Sequence, residues 1–197
     1  MSKGVIKGGL VIIIVLLAFL VVRDLTDNGV SGNVTYEGAP VKLNFYVMSQ
    51  CPYGTEVEDA IAPVLAKFGS AIDFSLEFIG RETATGFDSL HGQPEVEGNK
   101  VQLCAAKYNP DKYMDMIVCM NKDASSIPNN WESCAKGLDV SNIKTCYEGD
   151  EGNDLLSVSF AKSDEIGASG SPTIYLNDES YGGRRTETAF TKAICGE

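Results

Sequence analysis

The chain has 197 residues, of which 44% are hydrophobic, which is enough for one domain of ordinary size but not for two full domains. Its formal net charge is −11 at pH 7. Because nucleic-acid binding draws on clustered Lys and Arg, this charge balance argues against a nucleic-acid partner.

The first residues have the pattern of a membrane segment. Residues 10–22 read LVIIIVLLAFLVV and contain no polar side chain. As a helix, residues 5–22 would be roughly 27 Å long, close to the hydrocarbon thickness of a membrane. The run ends in Val22-Arg23-Asp24 and not in small residues, so we predict an uncleaved anchor over residues 1–23 in preference to a cleaved signal peptide.

The charges and cysteines predict the side of the membrane on which the rest of the chain lies. Lys3, Lys7 and the amino terminus precede the apolar run, and Arg23, Asp24 and Asp27 follow it, a small bias that favours an inside N-terminus and an exported domain. The six cysteines agree, because disulfides persist outside the cytoplasm. We therefore expect a single-pass membrane protein with an extracytoplasmic domain, whether periplasmic, extracellular or lumenal.

A βαβ unit is predicted after a linker. Residues 24–40 are rich in Gly, Asn, Asp, Ser and Thr, as linkers are. Residues 41–48 (VKLNFYVM) predict a buried strand, which leads through Cys51-Pro52 into a helix that runs to about residue 68. The alternating pattern of residues 72–79 predicts a second strand parallel to the first.

The second half of the chain predicts a helical insertion followed by a strand pair and a helix. Residues from about 98 to 167 have helical patterning. A strand over residues 173–176, a turn, a short strand near Tyr181 and a helix over residues 187–194 complete an α/β domain over residues 41–197. No cofactor is expected, and no metal site either, because there is no C-x-x-C pair and only one histidine.

Several motifs resemble a known family. They read FYVMSQCPYG, SLHGQPEVEGN, IVCMNK, WESC, IKTCYEGDEGNDLL and GSPTIYLN. The order of elements resembles the DsbA-like branch of the thioredoxin superfamily, and the motifs resemble the gamma-interferon-inducible lysosomal thiol reductase family over residues 41–197. This implies a thioredoxin-like fold with inserted helices. The stretch from Trp131 to Cys195 also resembles the lumenal region of plant vacuolar sorting receptors, which bind cargo.

Cys51 is the predicted catalytic residue. A cysteine between a strand and a helix lies near unpaired amide N–H groups and the positive end of the helix dipole, which stabilise a nucleophilic thiolate. Pro52 takes the first helical position, and Tyr53 can offer a face to a substrate. Dithiol members of the superfamily have a second cysteine at the position of Gly54, so this chain predicts a monothiol (CPYG) site.

Two further elements are candidates through the resemblance. Ser171-Pro172-Thr173 matches the cis-proline element, which faces the active cysteine and binds an extended substrate peptide. His91 lies in a Gly- and Pro-containing loop of the family signature, where it is either a group that supports the site or a solvated residue. The signature has a cysteine where this chain has Val96, so the role of that cysteine is lost here.

The remaining cysteines predict structural disulfides. Cys104, Cys119, Cys134 and Cys146 lie in the insertion, where short helices alone bury too little surface to fix their arrangement. A Cys119–Cys134 bond nested inside a Cys104–Cys146 bond is a hypothesis, because four cysteines allow three pairings. Cys195 is left over and is either free, intermolecular or paired with the predicted nucleophile.

Two functions fit these features best. The first is a membrane-anchored thiol–disulfide oxidoreductase of monothiol type, in which Cys51 attacks a disulfide of a polypeptide substrate and an external thiol or a redox partner protein releases the product. The alternative is a non-catalytic thioredoxin-fold module that binds extended peptides or proteins. An assembly protein joined to its partner by an intermolecular disulfide is a third, less favoured interpretation.

Overall fold

The computed structural model describes residues 39–196. The predicted anchor over residues 1–23 and nearly all of the predicted linker lie outside the described residues. Within residues 39–196, none of the helices is both long and apolar enough to cross a membrane.

The described residues form an α/β domain around a four-stranded sheet. Its strands are β1 (Val41–Val47), β2 (Ile72–Phe78), β5 (Thr173–Leu176) and β6 (Glu179–Ser180), and a separate hairpin contains β3 (Arg81–Thr83) and β4 (Gly86–Asp88). The helices are α1 (Pro52–Phe68), α2 (Gln93–Tyr108), α3 (Tyr113–Asn121), α4 (Trp131–Cys134), α5 (Val140–Glu148), α6 (Asp150–Glu165) and α7 (Glu187–Cys195). The predicted α/β class, with helices inserted between the two halves of the sheet, is confirmed.

The sheet has the order β2-β1-β5-β6 and places β1 at its centre. β1 is parallel to β2, as α1 between them requires, and antiparallel to β5. Leu43, Phe45 and Val47 of β1 are buried, and the Phe45 ring lies 5.3 Å from that of Phe74 and 5.5 Å from that of Phe190. Packing of the Phe45 ring against β2 and α7 therefore fixes β1, and with it the loop that follows its C-terminal end.

The helical insertion begins earlier than predicted. The sequence pattern indicated a loop up to about residue 98, whereas α2 already begins at Gln93. Pro94 lies in the first turn of α2, where a missing N–H costs no hydrogen bond, so this proline starts a helix and does not mark a loop. The β3–β4 hairpin between β2 and α2 was not predicted, and the short strand expected near Tyr181 ends one residue before it.

Two disulfides hold the inserted helices together. Cys104 of α2 is bonded to Cys146 of α5, and Cys119 of α3 is bonded to Cys134 of α4. The nested pairing that the sequence analysis gave as a hypothesis is therefore confirmed. Together the two bridges join all the insertion helices except α6. Each bridge restricts the unfolded chain and thereby stabilises the folded domain.

Loss of the outer bridge is expected to cost more stability than loss of the inner one. The sequence separations are 42 and 15 residues, and the chain-entropy relation then gives about 4 kcal/mol for the outer bond and about 3 kcal/mol for the inner bond. Urea unfolding of Cys104→Ala/Cys146→Ala, with Cys119→Ala/Cys134→Ala as the matched comparison, measures the two losses. A smaller loss in the first variant would contradict the expectation.

Candidate active site

Cys51 lies at the N-cap of α1, directly after the loop that leaves β1. Its carbonyl accepts hydrogen bonds from the amides of Gly54 and Thr55, both at 2.9 Å, which start the helix. The side chain is only 8% exposed and packs in a small apolar cluster with Met48, Ile79 and others. Cys51 is not in a disulfide. The structure thus places a free thiol at the amino end of a helix.

The Ser171–Pro172 segment lies against Cys51. The Ser171–Pro172 peptide bond is cis, as the resemblance implies. The Cys51 thiol donates to the Ser171 carbonyl with an Sγ–O distance of 3.7 Å, and the Ser171 hydroxyl accepts a hydrogen bond from the Met48 amide at 3.0 Å. The structure therefore brings together two elements that are 120 residues apart in sequence.

The other predicted substrate-binding residues lie around this pair. Tyr53 on α1 is 66% exposed, and Pro52 beside it is exposed as well. Thr173 is half-buried at the start of β5, where its hydroxyl donates to the Gly170 carbonyl at 2.7 Å. The guanidinium of Arg185 reaches the Pro172 carbonyl at 3.5 Å. The rim of the site thus combines the exposed aromatic ring of Tyr53 with the positive charge of Arg185, while Pro172 itself is buried.

The position of the second cysteine of dithiol members is closed to any side chain. A Cβ atom added at Gly54 would lie 2.7 Å from the Ser171 hydroxyl oxygen and 2.9 Å from the Met48 carbonyl oxygen. Both distances are shorter than van der Waals contact. A cysteine at position 54 would therefore have to displace Ser171 and the backbone of Met48.

His91 is linked to the Cys51 loop through a buried carboxylate that the sequence analysis did not single out. Its Nδ1 lies 2.7 Å from Oε1 of Glu95, and the same oxygen accepts the amide of Gln50 at 3.2 Å. Four residues further along α2, Asn99 accepts the amide of Ser49 at 3.0 Å. The four-residue spacing of His91, Glu95 and Asn99 places the last two on one helix face, and that was the available signal.

Val96 and Cys195 do not take part in these contacts. Val96 is buried in the main core, so the signature position without its cysteine is filled by an apolar contact. Cys195 is exposed in the last turn of α7 and is not in a disulfide. Within the part of the chain that the structure describes, no cluster of three or more His, Cys, Asp or Glu side chains could hold a metal ion.

Residues 42–138 match the family described as gamma interferon inducible lysosomal thiol reductase (GILT). GILT-like protein 1 of Drosophila melanogaster is 27% identical over an alignment of 151 residues that covers 61% of this chain and 58% of that protein. The chain therefore spans less than two thirds of the length of this relative.

Solved structures share the fold at low sequence identity. Oxidised BdbD from Bacillus subtilis has a TM-score of 0.60 and 15% identity, with 82% of this chain and 89% of BdbD covered. MdbA, a thiol-disulfide oxidoreductase from Actinomyces oris, has a TM-score of 0.62 and 13% identity, with 82% and 83% covered. The family match over residues 42–138, the Drosophila relative and these neighbours agree with the motifs around Cys51 and Pro172: the chain is similar to the GILT family and has the thioredoxin-like fold of these neighbours.

Proposed function

We propose that this chain is a monothiol thiol–disulfide oxidoreductase that reduces or isomerises protein disulfides through Cys51. The observation that carries the proposal is the free thiol of Cys51 at the amino end of α1, 3.7 Å from the Ser171 carbonyl of the cis-proline segment. The name of the GILT family and the description of MdbA as a thiol-disulfide oxidoreductase support this activity.

The reaction is three successive thiol–disulfide exchanges that all involve Cys51. The Cys51 thiolate attacks one sulfur of a substrate disulfide, the S–S bond breaks, and the second substrate sulfur leaves as a thiolate. An external thiolate then attacks the Cys51 sulfur and releases the first substrate sulfur. A second external thiol regenerates Cys51 and leaves as a disulfide. In total, two external thiols supply the two electrons that reduce one substrate disulfide.

The resolving thiol comes from another molecule in this proposal. Gly54 has no sulfur and no room for one, and the four insertion cysteines are already bonded in pairs. An intrahelical second cysteine would make release intramolecular, an advantage that can amount to several kcal/mol. Without it, the rate of release depends on the concentration of a small thiol or a redox partner protein.

The substrate is a polypeptide in extended conformation. By the resemblance, its backbone pairs with the residue before Pro172, next to Cys51. The exposed ring of Tyr53 and the half-buried Thr173 then contact residues on either side of the substrate cysteine. This arrangement favours unfolded or loop segments over disulfides buried in a folded protein.

We also place the domain outside the reducing cytoplasm, attached to a membrane. The two disulfides in the insertion support an extracytoplasmic or lumenal compartment. The apolar run over residues 10–22 supports a single-pass anchor. Alkaline carbonate extraction of membranes, combined with protease protection of the domain, tests both statements.

Trapping with a small disulfide tests the chemistry. The full-length chain, with its two structural disulfides intact, is incubated with glutathione disulfide, digested and mapped by mass spectrometry. We expect the mixed disulfide to form faster on Cys51 than on Cys195, although Cys195 is the more exposed thiol, and excess free thiol should restore Cys51. Modification confined to Cys195 would contradict the proposal.

A non-catalytic peptide-binding module is the second candidate. The observation that favours it is the closed position at Gly54 together with the apolar residue at Val96, because two cysteines of the wider family are replaced. In this case Cys51 would not turn over, and the cis-proline segment alone would hold an extended peptide. The test that separates the two functions uses an external thiol at a concentration that does not reduce the protein disulfide by itself. Catalytic reduction when the chain is added supports the oxidoreductase, and no reduction supports the binding module.

A further inference from the structure

The loop that presents Cys51 is held by side chains from distant segments. Three successive amides each donate to a side-chain oxygen: Met48 to Ser171, Ser49 to Asn99 and Gln50 to Glu95, at 3.0, 3.0 and 3.2 Å. Main-chain amides in a loop are more often bonded to backbone or water. Every amide from residue 48 to residue 50 therefore has an acceptor whose position is set by another part of the fold.

Helix α2 supplies two of these acceptors and lies unusually close to the loop. A Cβ atom added at Gly98 would lie 2.4 Å from the Ser49 Oγ, so only glycine permits this approach. The Ser49 hydroxyl donates to the Glu95 carbonyl at 3.1 Å, and the Gln50 side chain donates to the Ile127 carbonyl at 2.7 Å. The loop is thus fixed through side chains as well as through its backbone.

Glu95 is the centre of this network. Its side chain is fully buried, and its two oxygens receive the Gln50 amide, the Ser89 hydroxyl at 2.7 Å, the His91 amide at 3.1 Å and His91 Nδ1 at 2.7 Å. A buried carboxylate is tolerated only when it is bonded in this way. The His91 side chain is 37% exposed, so the network reaches from the Cys51 loop to the protein surface.

We propose that Glu95 and Asn99 are positioning residues for Cys51, and that His91 acts through Glu95 to fix the loop over residues 48–51. Their hydrogen bonds set the direction in which the Cys51 sulfur meets a substrate disulfide. Disulfide exchange requires the attacking sulfur to be correctly oriented, and small misplacement of a reacting group can cost about a hundredfold in rate. The catalytic meaning of this inference rests on the proposed function, but the geometry of the loop can be tested without turnover.

The test uses Glu95→Gln and Asn99→Ala in the full-length chain, with Glu97→Gln as the matched control. Glu97 lies on the same helix and pairs with Lys100, not with the loop. The first readout is the second-order rate constant for adduct formation on Cys51 with glutathione disulfide, measured well below the unfolding temperature. We expect a fall of about tenfold in the two loop variants, equivalent to about 1.4 kcal/mol, and no change in the control.

The second readout is site-resolved amide hydrogen exchange. A merely stabilising role of Glu95 or Asn99 would raise exchange across the whole domain. A positioning role raises it selectively, at Gln50 in Glu95→Gln and at Ser49 in Asn99→Ala. A Cys51 rate within twofold of the wild type in the folded variants, or a rate that rises, would overturn the inference.

His91→Ala is the variant to measure if Glu95→Gln or Asn99→Ala does not fold. Because His91 is partly exposed, its removal costs one hydrogen bond to Glu95 and little packing. We expect the Cys51 rate to fall by roughly two- to fourfold, with faster exchange at Gln50. Normal adduct formation on Cys51 without catalytic reduction of proteins would refute the proposed function and leave this inference standing.

Discussion

Replacing Cys51 by serine is expected to abolish catalytic reduction of protein disulfides, with a loss of about a hundredfold or more, because a serine hydroxyl does not attack sulfur. Cys51 is one of two free cysteines within residues 39–196 and the one that faces the cis-proline segment. The measurement is turnover of a small disulfide-bonded protein by the full-length chain with an external thiol.

Cys195→Ser is the matched control, because it removes the other free thiol and is expected to retain full activity. Equal loss in both variants would mean that Cys195 resolves the mixed disulfide, which contradicts release by an external thiol. Unchanged turnover in Cys51→Ser would refute the oxidoreductase. Peptide capture that survives in Cys51→Ser and is weakened in Thr173→Arg, without wild-type turnover, would establish the binding module instead.

The parts of the fold that the sequence predicted well have a strong local pattern. β1 is a continuous run of β-branched and aromatic residues, and α1 has a proline at its first position and an apolar face that includes Ile61 and Val64. The hairpin of β5 and β6 is marked by Asn177-Asp178, both with positive φ angles, as a two-residue turn requires. Such signals depend on neighbouring residues only, so one sequence is sufficient to find them.

The parts that were missed depend on distant contacts. β3 and β4 have three residues each and are mostly exposed, so they show no alternation of apolar and polar residues. The cis bond at Pro172 came from family resemblance, since the composition of Ser171-Pro172 does not encode it. That Glu95 and Asn99 accept amides of the Cys51 loop follows from the packing of α2 against that loop, which no local pattern specifies.

Glu58 is an ionisable residue on the buried face of α1, a position that the sequence pattern did not indicate. It lies three residues before Ile61 on α1 and is fully buried, with Oε2 accepting from the Asn121 side chain at 3.0 Å and Oε1 without a partner. Burial raises the pKa of Glu58 from 4.5 to about 8, and the nearby carboxylate of Asp59 adds to the rise. We therefore expect the carboxyl group to be mostly protonated in the folded domain at pH 7.

The buried Glu58 should make the domain less stable as the pH rises from about 5 to 8. In the unfolded chain the carboxyl group loses its proton near its ordinary pKa of 4.5, whereas the folded domain keeps the proton until the pH approaches 8. Between these values the folded state binds one more proton than the unfolded state. The free energy of unfolding then falls by about 1.4 kcal/mol per pH unit from this group, several kcal/mol in all.

Glu58→Gln isolates this contribution, because glutamine has a similar shape and does not titrate. We expect the variant to gain stability relative to the wild type as the pH rises from 5 to 8, when urea unfolding is measured at each pH. Glu56→Gln, on the exposed face of the same helix, is the control and should follow the wild type. A difference between Glu58→Gln and the wild type that does not vary with pH would show that Glu58 is ionised in the folded domain, with its charge compensated beyond the single Asn121 contact.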